Sequence, residues 1–122
     1  MPLETGTIPV PFGWFRVADS AELAPGAVLA TRVCEREIVV WRTERGEARG
    51  ADAWCPHLGA HLGVGGTVRA ESLVCPFHGW EFGPDGRNCA IPYSDRTNGR
   101  AALTTHTVIE RNGLVLAWIH PH

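Results

Sequence analysis

Two short segments carry residues able to hold a metal: Cys55-Pro56-His57-Leu58-Gly59-Ala60-His61-Leu62 and Cys75-Pro76-Phe77-His78-Gly79-Trp80-Glu81-Phe82. The first is a Cys-x-His pair and the second a Cys-x-x-His pair, with seventeen residues between His57 and Cys75. Each segment opens on Cys-Pro and places a Gly directly or one residue after its His. Two thiolates and two imidazoles are therefore offered by two similar turns, a donor set suited to zinc or to iron.

Two metal chemistries use these atoms. Zinc motifs open with Cys-x₂₋₄-Cys and close with two histidines, whereas here each half supplies one Cys and one His. The split fits a two-iron, two-sulfide cluster of Rieske type, with two cysteines on one iron and two histidines on the other. Charge explains the donor types. Oxidised, with neutral imidazoles, the positive charge of two ferric ions is cancelled by two sulfides and two thiolates; four thiolates would leave a net dianion. An added electron meets less negative charge at the mixed site, which raises the potential. The second nitrogen of each imidazole is left for solvent or a partner group. The third reading, buried cysteines as plain core residues, does not account for paired Cys/His turns.

The elements that must position these turns read as short strands. Pro2, Pro9, Pro11 and Gly13 make residues 1–13 an extended arm, and residues 14–122 one domain, with a metal-binding subdomain over about 54–83. Trp14–Ala18 is a first strand, and Asp19 with Glu22 a capped helical turn. Val28–Val33 and Glu37–Thr43 are strands around a turn near Glu35-Arg36, and Arg49–Trp54 leads into the first Cys turn. Gly63, Gly65 and Gly66 precede Thr67–Arg69; Leu73-Val74 delivers Cys75 and Trp80–Phe82 leaves it. Gly83-Pro84-Asp85-Gly86 is a turn, and 87–101 reads as irregular. Thr104–Glu110 and Leu114–Ile119 form a hairpin about Asn112-Gly113. The fold class is all-β, and Trp41, Trp54 and Trp118 are expected in the core.

Composition narrows the function. Among 122 residues, eleven basic and thirteen acidic side chains give a formal net charge of −2, and every basic residue is Arg. No basic stripe suggests nucleic acid, no apolar run of eighteen suggests a membrane span, and no signal peptide is expected. A reducing, cytoplasmic setting is expected, with Cys34 and Cys89 as free thiols. His61 is a surplus imidazole at the rim of the first turn, His106 a structural or solvent-facing residue, and His120 and His122 part of an exposed tail.

With these residues in view the chain resembles the N-terminal Rieske domain of Rieske non-haem iron oxygenases, over about Phe12 to Pro121. Within that family it is similar to the oxygenase component of 3-ketosteroid 9α-hydroxylase and to the cholesterol 7-desaturase group. The segments that carry the likeness are Phe12-Gly13-Trp14-Phe15, Cys55–Ala60, Gly65–Val68, Cys75–Trp80, Asp85-Gly86 and Ile91-Pro92-Tyr93. The resemblance implies three small antiparallel sheets with the cluster at one tip. It implies Cys55 and Cys75 on an inner iron, His57 and His78 on an outer, exposed iron, and Leu58, Gly59, Ala60, Phe77, Gly79 and Trp80 around them. Rieske proteins of respiratory complexes bridge the two loops by a disulfide; Ala60 and Phe77 stand at the matching positions, so that bridge is not expected. Trp80 stands where those proteins carry a Ser that donates to a sulfide, which implies a low potential for a Rieske centre.

The implied function is one-electron transfer, with an NAD(P)H-dependent reductase or a ferredoxin as donor and an oxygenase catalytic domain as acceptor. Such oxygenases continue into a domain whose mononuclear iron is held by two His and a carboxylate; no segment here supplies it. The chain reads as the electron-accepting part of an oxygenase α subunit without its catalytic half. The alternative is a free-standing Rieske ferredoxin shuttling electrons between a reductase and an oxygenase. His78-Gly79-Trp80 favours the first and the length the second. A monomer is expected for the isolated domain and a trimer for a full-length oxygenase.

Overall fold

The computed structural model describes residues 13–56, 59–76, 78–98 and 100–119. Eleven strands and one 3₁₀ turn are formed among them, in three antiparallel sheets. The first sheet has the order β1-β11-β10, from β1 (Gly13–Asp19), β10 (Val108–Arg111) and β11 (Leu114–Ile119). The second has the order β2-β3-β4-β9, from β2 (Val28–Val33), β3 (Arg36–Arg42), β4 (Ala48–Asp52) and β9 (Thr105–His106). The third runs β5-β6-β7-β8, from β5 (Thr67–Arg69), β6 (Ser72–Val74), β7 (Glu81–Phe82) and β8 (Asn88–Ala90).

Two apolar cores follow from this layering. β3 is an inner strand of the second sheet and reads Ile38-Val39-Val40-Trp41 over its middle, all fully buried, so its alternate residues feed opposite sides. Ile38 and Val40 join Val17, Leu23, Val115, Ala117 and Ile119 between the first and second sheets. Val39 and Trp41 join Leu62, Leu73, Trp80 and Phe82 between the second and third. Both Cys55 and Cys75 belong to that second core. Across the first, the Arg42 guanidinium makes a two-pronged ion pair with Glu110 on β10, at 2.8 Å for each contact, and also donates to the carbonyls of Leu23 and Gly46.

Turn chemistry sets the hairpins. Asn112-Gly113 joins β10 to β11 with both residues at positive φ, as a two-residue hairpin requires. The β2–β3 turn lies at Cys34-Glu35, one residue earlier than the sequence suggests; both adopt positive φ (52° and 64°) without a glycine. β1 carries a bulge between Arg16 and Ala18, which explains why Val17 and Ala18 are both buried. Capping at the 3₁₀ turn Ser20–Glu22 is realised by the Asp19 N–H donating to Glu22 Oε1 at 2.8 Å.

Three other expectations change. The segment 87–101 contains β8, paired with β7. The run Thr104–Glu110 is broken at Thr107, where the chain leaves the second sheet for the first: His106 pairs with Gly50, and Val108 with Ala117. Trp41 is a core residue as expected, but Trp54 is half exposed, and Trp118 faces away from both cores.

Candidate metal centre

The two Cys turns are built alike. At the first, the Gly59 N–H donates to the Cys55 carbonyl at 2.8 Å, and the Cys55 N–H to the Ala60 carbonyl at 2.8 Å. At the second, the Gly79 N–H donates to the Cys75 carbonyl at 3.1 Å, and the Cys75 N–H to the Trp80 carbonyl at 2.8 Å. The same two bonds close both loops, four residues and five residues apart. Each loop turns through a glycine in the left-handed region, Gly59 at φ +76° and Gly79 at φ +73°, a conformation costly for any residue with a side chain.

The loops differ in what supports them. A Cβ on Gly79 would stand 2.8 Å from Pro92 Cγ, whereas one on Gly59 would meet nothing within 4 Å among the described residues. The turn Ile91–Ser94 thus presses on the second loop, and it also carries Tyr93, whose hydroxyl accepts the Trp80 indole N–H at 2.7 Å. On the first loop, Trp54 pairs in an isolated bridge with His61, and their rings meet edge to face at 4.8 Å. Strands on both sides hold the loops: β4 and β5 bracket the first segment, β6 and β7 the second.

Of the ligand candidates, Cys55 and Cys75 are buried at 2% and 3% exposure, and His78 is exposed. None of the four cysteines is in a disulfide. His57, Leu58 and Phe77 lie outside the described residues. Among the flanking candidates, Ala60 packs on the core and Trp80 is part of it. Two buried thiols at the base of twin loops, with an imidazole reaching solvent beside one of them, fit a group that needs thiolates inside and imidazoles outside. A two-iron cluster divides such donors between two metals.

The remaining candidates fall elsewhere. His61 accepts the Gly63 N–H through Nδ1 at 3.0 Å and sets Nε2 3.7 Å from Glu37, so it braces the loop that follows. His106 is half-buried, with its side chain 5% exposed and bonded to Asp52 at 2.9 Å, a carboxylate that also pairs with Arg36 at 3.1 Å. It is structural, at the corner between sheets. Cys34 is half-buried on a hairpin turn, and exposed Cys89 lies 3.3 Å from the Ser72 hydroxyl. His120 and His122 lie outside the described residues. Sequence reasoning singled out Tyr93 only as part of a resembling segment and missed its bond to Trp80. A shallow apolar cleft of about 420 Å³, lined by Ala60, His61, Val64 and Pro76, separates the loop flanks.

Comparison with known proteins agrees with this geometry. Residues 13–108 match the Rieske [2Fe-2S] domain family. The chain is 43% identical over 111 residues to the cholesterol 7-desaturase nvd of Xenopus laevis, covering 90% of this chain and 24% of that protein. It is 31% identical to the 3-ketosteroid-9-alpha-monooxygenase oxygenase component of Rhodococcus rhodochrous, covering 98% of this chain and 32% of that one. The crystal structure of apo dicamba monooxygenase superposes with a TM-score of 0.83 at 25% identity, covering 93% of this chain and 35% of that chain. The chain thus spans about a quarter to a third of the length of these relatives. None of the helices among the described residues is long and apolar enough to cross a membrane.

Proposed function

The chain belongs to the Rieske [2Fe-2S] domain family, whose cofactor is a Rieske-type cluster, and we propose that it is the electron-accepting domain of a Rieske oxygenase, with Cys55, His57, Cys75 and His78 as the four ligands. The observation that carries the ligand assignment is the repeated loop: the same pair of backbone bonds fixes Cys55 and Cys75 at one depth in one core. When bound, such a cluster takes up and releases one electron.

The residues of the chain divide the work. The core around Leu62, Leu73, Trp80 and Phe82 keeps water from the Cys55 and Cys75 thiolates, which favours a neutral site over a more charged one. The exposed position of His78 leaves the imidazole side open to a partner. An NAD(P)H-dependent reductase or a ferredoxin is the donor, and the catalytic domain of an oxygenase the acceptor. The likeness to a cholesterol 7-desaturase and to the oxygenase component of a 3-ketosteroid monooxygenase supports an oxygenase domain over a free-standing ferredoxin. A full-length enzyme would be a trimer, and the domain by itself a monomer.

Freshly purified protein should contain two irons and two acid-labile sulfides per chain and be red-brown. Cys55→Ser and Cys75→Ser should each lose both, and His78→Cys, where a cluster still assembles, should lower the potential toward about −400 mV. Stoichiometric zinc without labile sulfide in natively expressed protein would overturn the assignment.

A further inference from the structure

The two cysteine loops differ in the surface that flanks them. Beside the first, the exposed side chains Trp54 and Val64 are apolar. Beside the second runs the segment 91–100, which begins with the Ile91–Ser94 turn against Gly79. Residues 92–98 and Arg100 are all exposed, yet the backbone of the segment is pinned. The Ser94 N–H donates to the Ile91 carbonyl at 3.1 Å, and the Arg96 N–H to the Ser94 hydroxyl at 3.1 Å. The Asn98 N–H donates to Oδ1 of buried Asn88 at 2.8 Å, and the Arg100 N–H to Asn98 Oδ1 at 3.0 Å. The segment carries Arg96, Arg100 and Asp95, a formal +1 on a chain of net charge −2. Among the described residues neither Arg96 nor Arg100 has a carboxylate partner. Glu81, which follows Trp80, is instead held by Arg69 at 3.1 Å.

We propose that this segment is the docking surface for an acidic, diffusible one-electron carrier protein, which meets the chain at Tyr93, Arg96 and Arg100 and delivers its electron beside His78. The proposal rests on the reading of the chain as an electron-accepting Rieske domain, and adds the face that the donor uses and the charge that the donor bears. The segment lies where such a donor must arrive. His78 is exposed and precedes Gly79, on which Pro92 presses, and the neighbouring Tyr93 reaches Trp80. Two guanidiniums free of ion pairs match surface carboxylates, which they can grip in two-pronged fashion. A donor that must arrive, give up one electron and leave is served by charges of this kind, because rim charges act on the rate of encounter. The Tyr93 ring is 65% exposed and its hydroxyl is tied to Trp80, so it offers a fixed contact plane at small entropic cost. The pinned backbone lowers that cost further. Nucleic acid, the other partner drawn to Arg, calls for a basic stripe, and the segment carries a formal charge of only +1.

The test uses the 122-residue holoprotein and an acidic plant-type [2Fe–2S] ferredoxin, whose potential lies below that of a Rieske centre. One electron leaves the reduced ferredoxin and enters the oxidised cluster, and stopped-flow absorbance gives the second-order rate constant. Surface plasmon resonance with oxidised ferredoxin gives the affinity when no electron moves. At low salt, Arg96→Glu combined with Arg100→Glu should lower both the rate constant and the affinity about tenfold, and Asp95→Asn should raise both. These differences should fade at about 0.5 M NaCl, where surface charges are screened. Arg96→Gln with Arg100→Gln, which removes the charges without reversing them, should give a smaller loss in the same direction. The control is Arg32→Glu with Arg111→Glu, the same change of net charge at two exposed arginines on β2 and β10. It should alter neither quantity by more than about twofold. A loss as large in the control pair would overturn the proposal, because net charge alone would then explain it. So would unchanged rate and affinity in the segment pair. Iron and labile sulfide are measured in every sample. Their absence from the wild-type chain would overturn the cluster assignment and this proposal with it, whereas a full cluster beside an indifferent segment would overturn this proposal alone.

Discussion

The Tyr93 hydroxyl accepts the indole N–H of Trp80 at 2.7 Å, tying an exposed side chain to the residue that closes the Cys75 loop. Trp80 is buried and belongs to the same core as both cysteines. Tyr93→Phe removes the acceptor and keeps the ring. Stability to urea should fall by about 1 kcal/mol, the worth of one partly buried hydrogen bond, with two irons and two sulfides per chain retained. Loss of cluster in this variant would mean that the bond holds the loop, not merely its flank.

The twin loops should respond unequally to the same change. Gly59→Ala and Gly79→Ala both force an L side chain into the left-handed region, at about 1–2 kcal/mol. Only the second also drives a methyl against Pro92, 2.8 Å away on the present backbone. Gly79→Ala should therefore cost at least about 1 kcal/mol more and lower the yield of assembled cluster, measured as sulfide per chain. Equal effects would mean that the Ile91–Ser94 turn yields freely.

Acid should probe the clamp between β3 and β10. The Arg42 guanidinium, and secondly the Ser20 hydroxyl, hold the Glu110 carboxyl down at about 2 from an ordinary 4.5. A depressed carboxylate stabilises the fold above its unfolded-state value and loses that contribution as pH falls through the folded-state value. Wild-type stability should thus decline between about pH 4.5 and pH 2 in part through Glu110, and Glu110→Gln should decline less there. At neutral pH that variant should be less stable by about 1 kcal/mol, because the carboxylate still touches water and is screened. Identical slopes for both proteins would show that the pair does not couple to folding.

Cys34 and Cys89 should be dispensable for the metal. Cys34→Ser and Cys89→Ser should keep the visible spectrum and the full sulfide content, with stability changed by no more than about 1 kcal/mol. Thiol titration of the native protein should find Cys89 first, since it is the exposed one. Bleaching in either variant would move a ligand from its assigned position.

The site was more legible than the sheets that hold it. Cys-x-His and Cys-x-x-His declare themselves, because metal chemistry restricts the residue types to a few. The all-β class and the Asn112-Gly113 hairpin were equally readable, since glycine and alternation leave local marks. The Cys34-Glu35 turn was misplaced by one residue because it adopts positive φ without the usual Asn or Gly. The break at Thr107 was hidden because one continuous extended run serves two sheets, and only long-range pairing separates them. Trp54 and Trp118 were assigned to the core from residue type alone. Type states how apolar a side chain is, while the sheet decides which way it points. His106 showed no sign of its bond to Asp52, fifty-four residues away.

Gly13 pairs with Ile119, and the register continues along β1 and β11 to Asp19 and Leu114. The opening strand therefore has no partner until almost the whole domain has left the ribosome. At roughly 5–20 residues per second, that delay is on the order of five to twenty seconds. The hairpin of β2 and β3 and both cysteine loops emerge during this interval, before the sheet that buries Val17 can close. Iron–sulfur insertion and sheet closure would then compete in time, and a nascent chain stalled short of Leu114 would present its thiols on an unfinished fold.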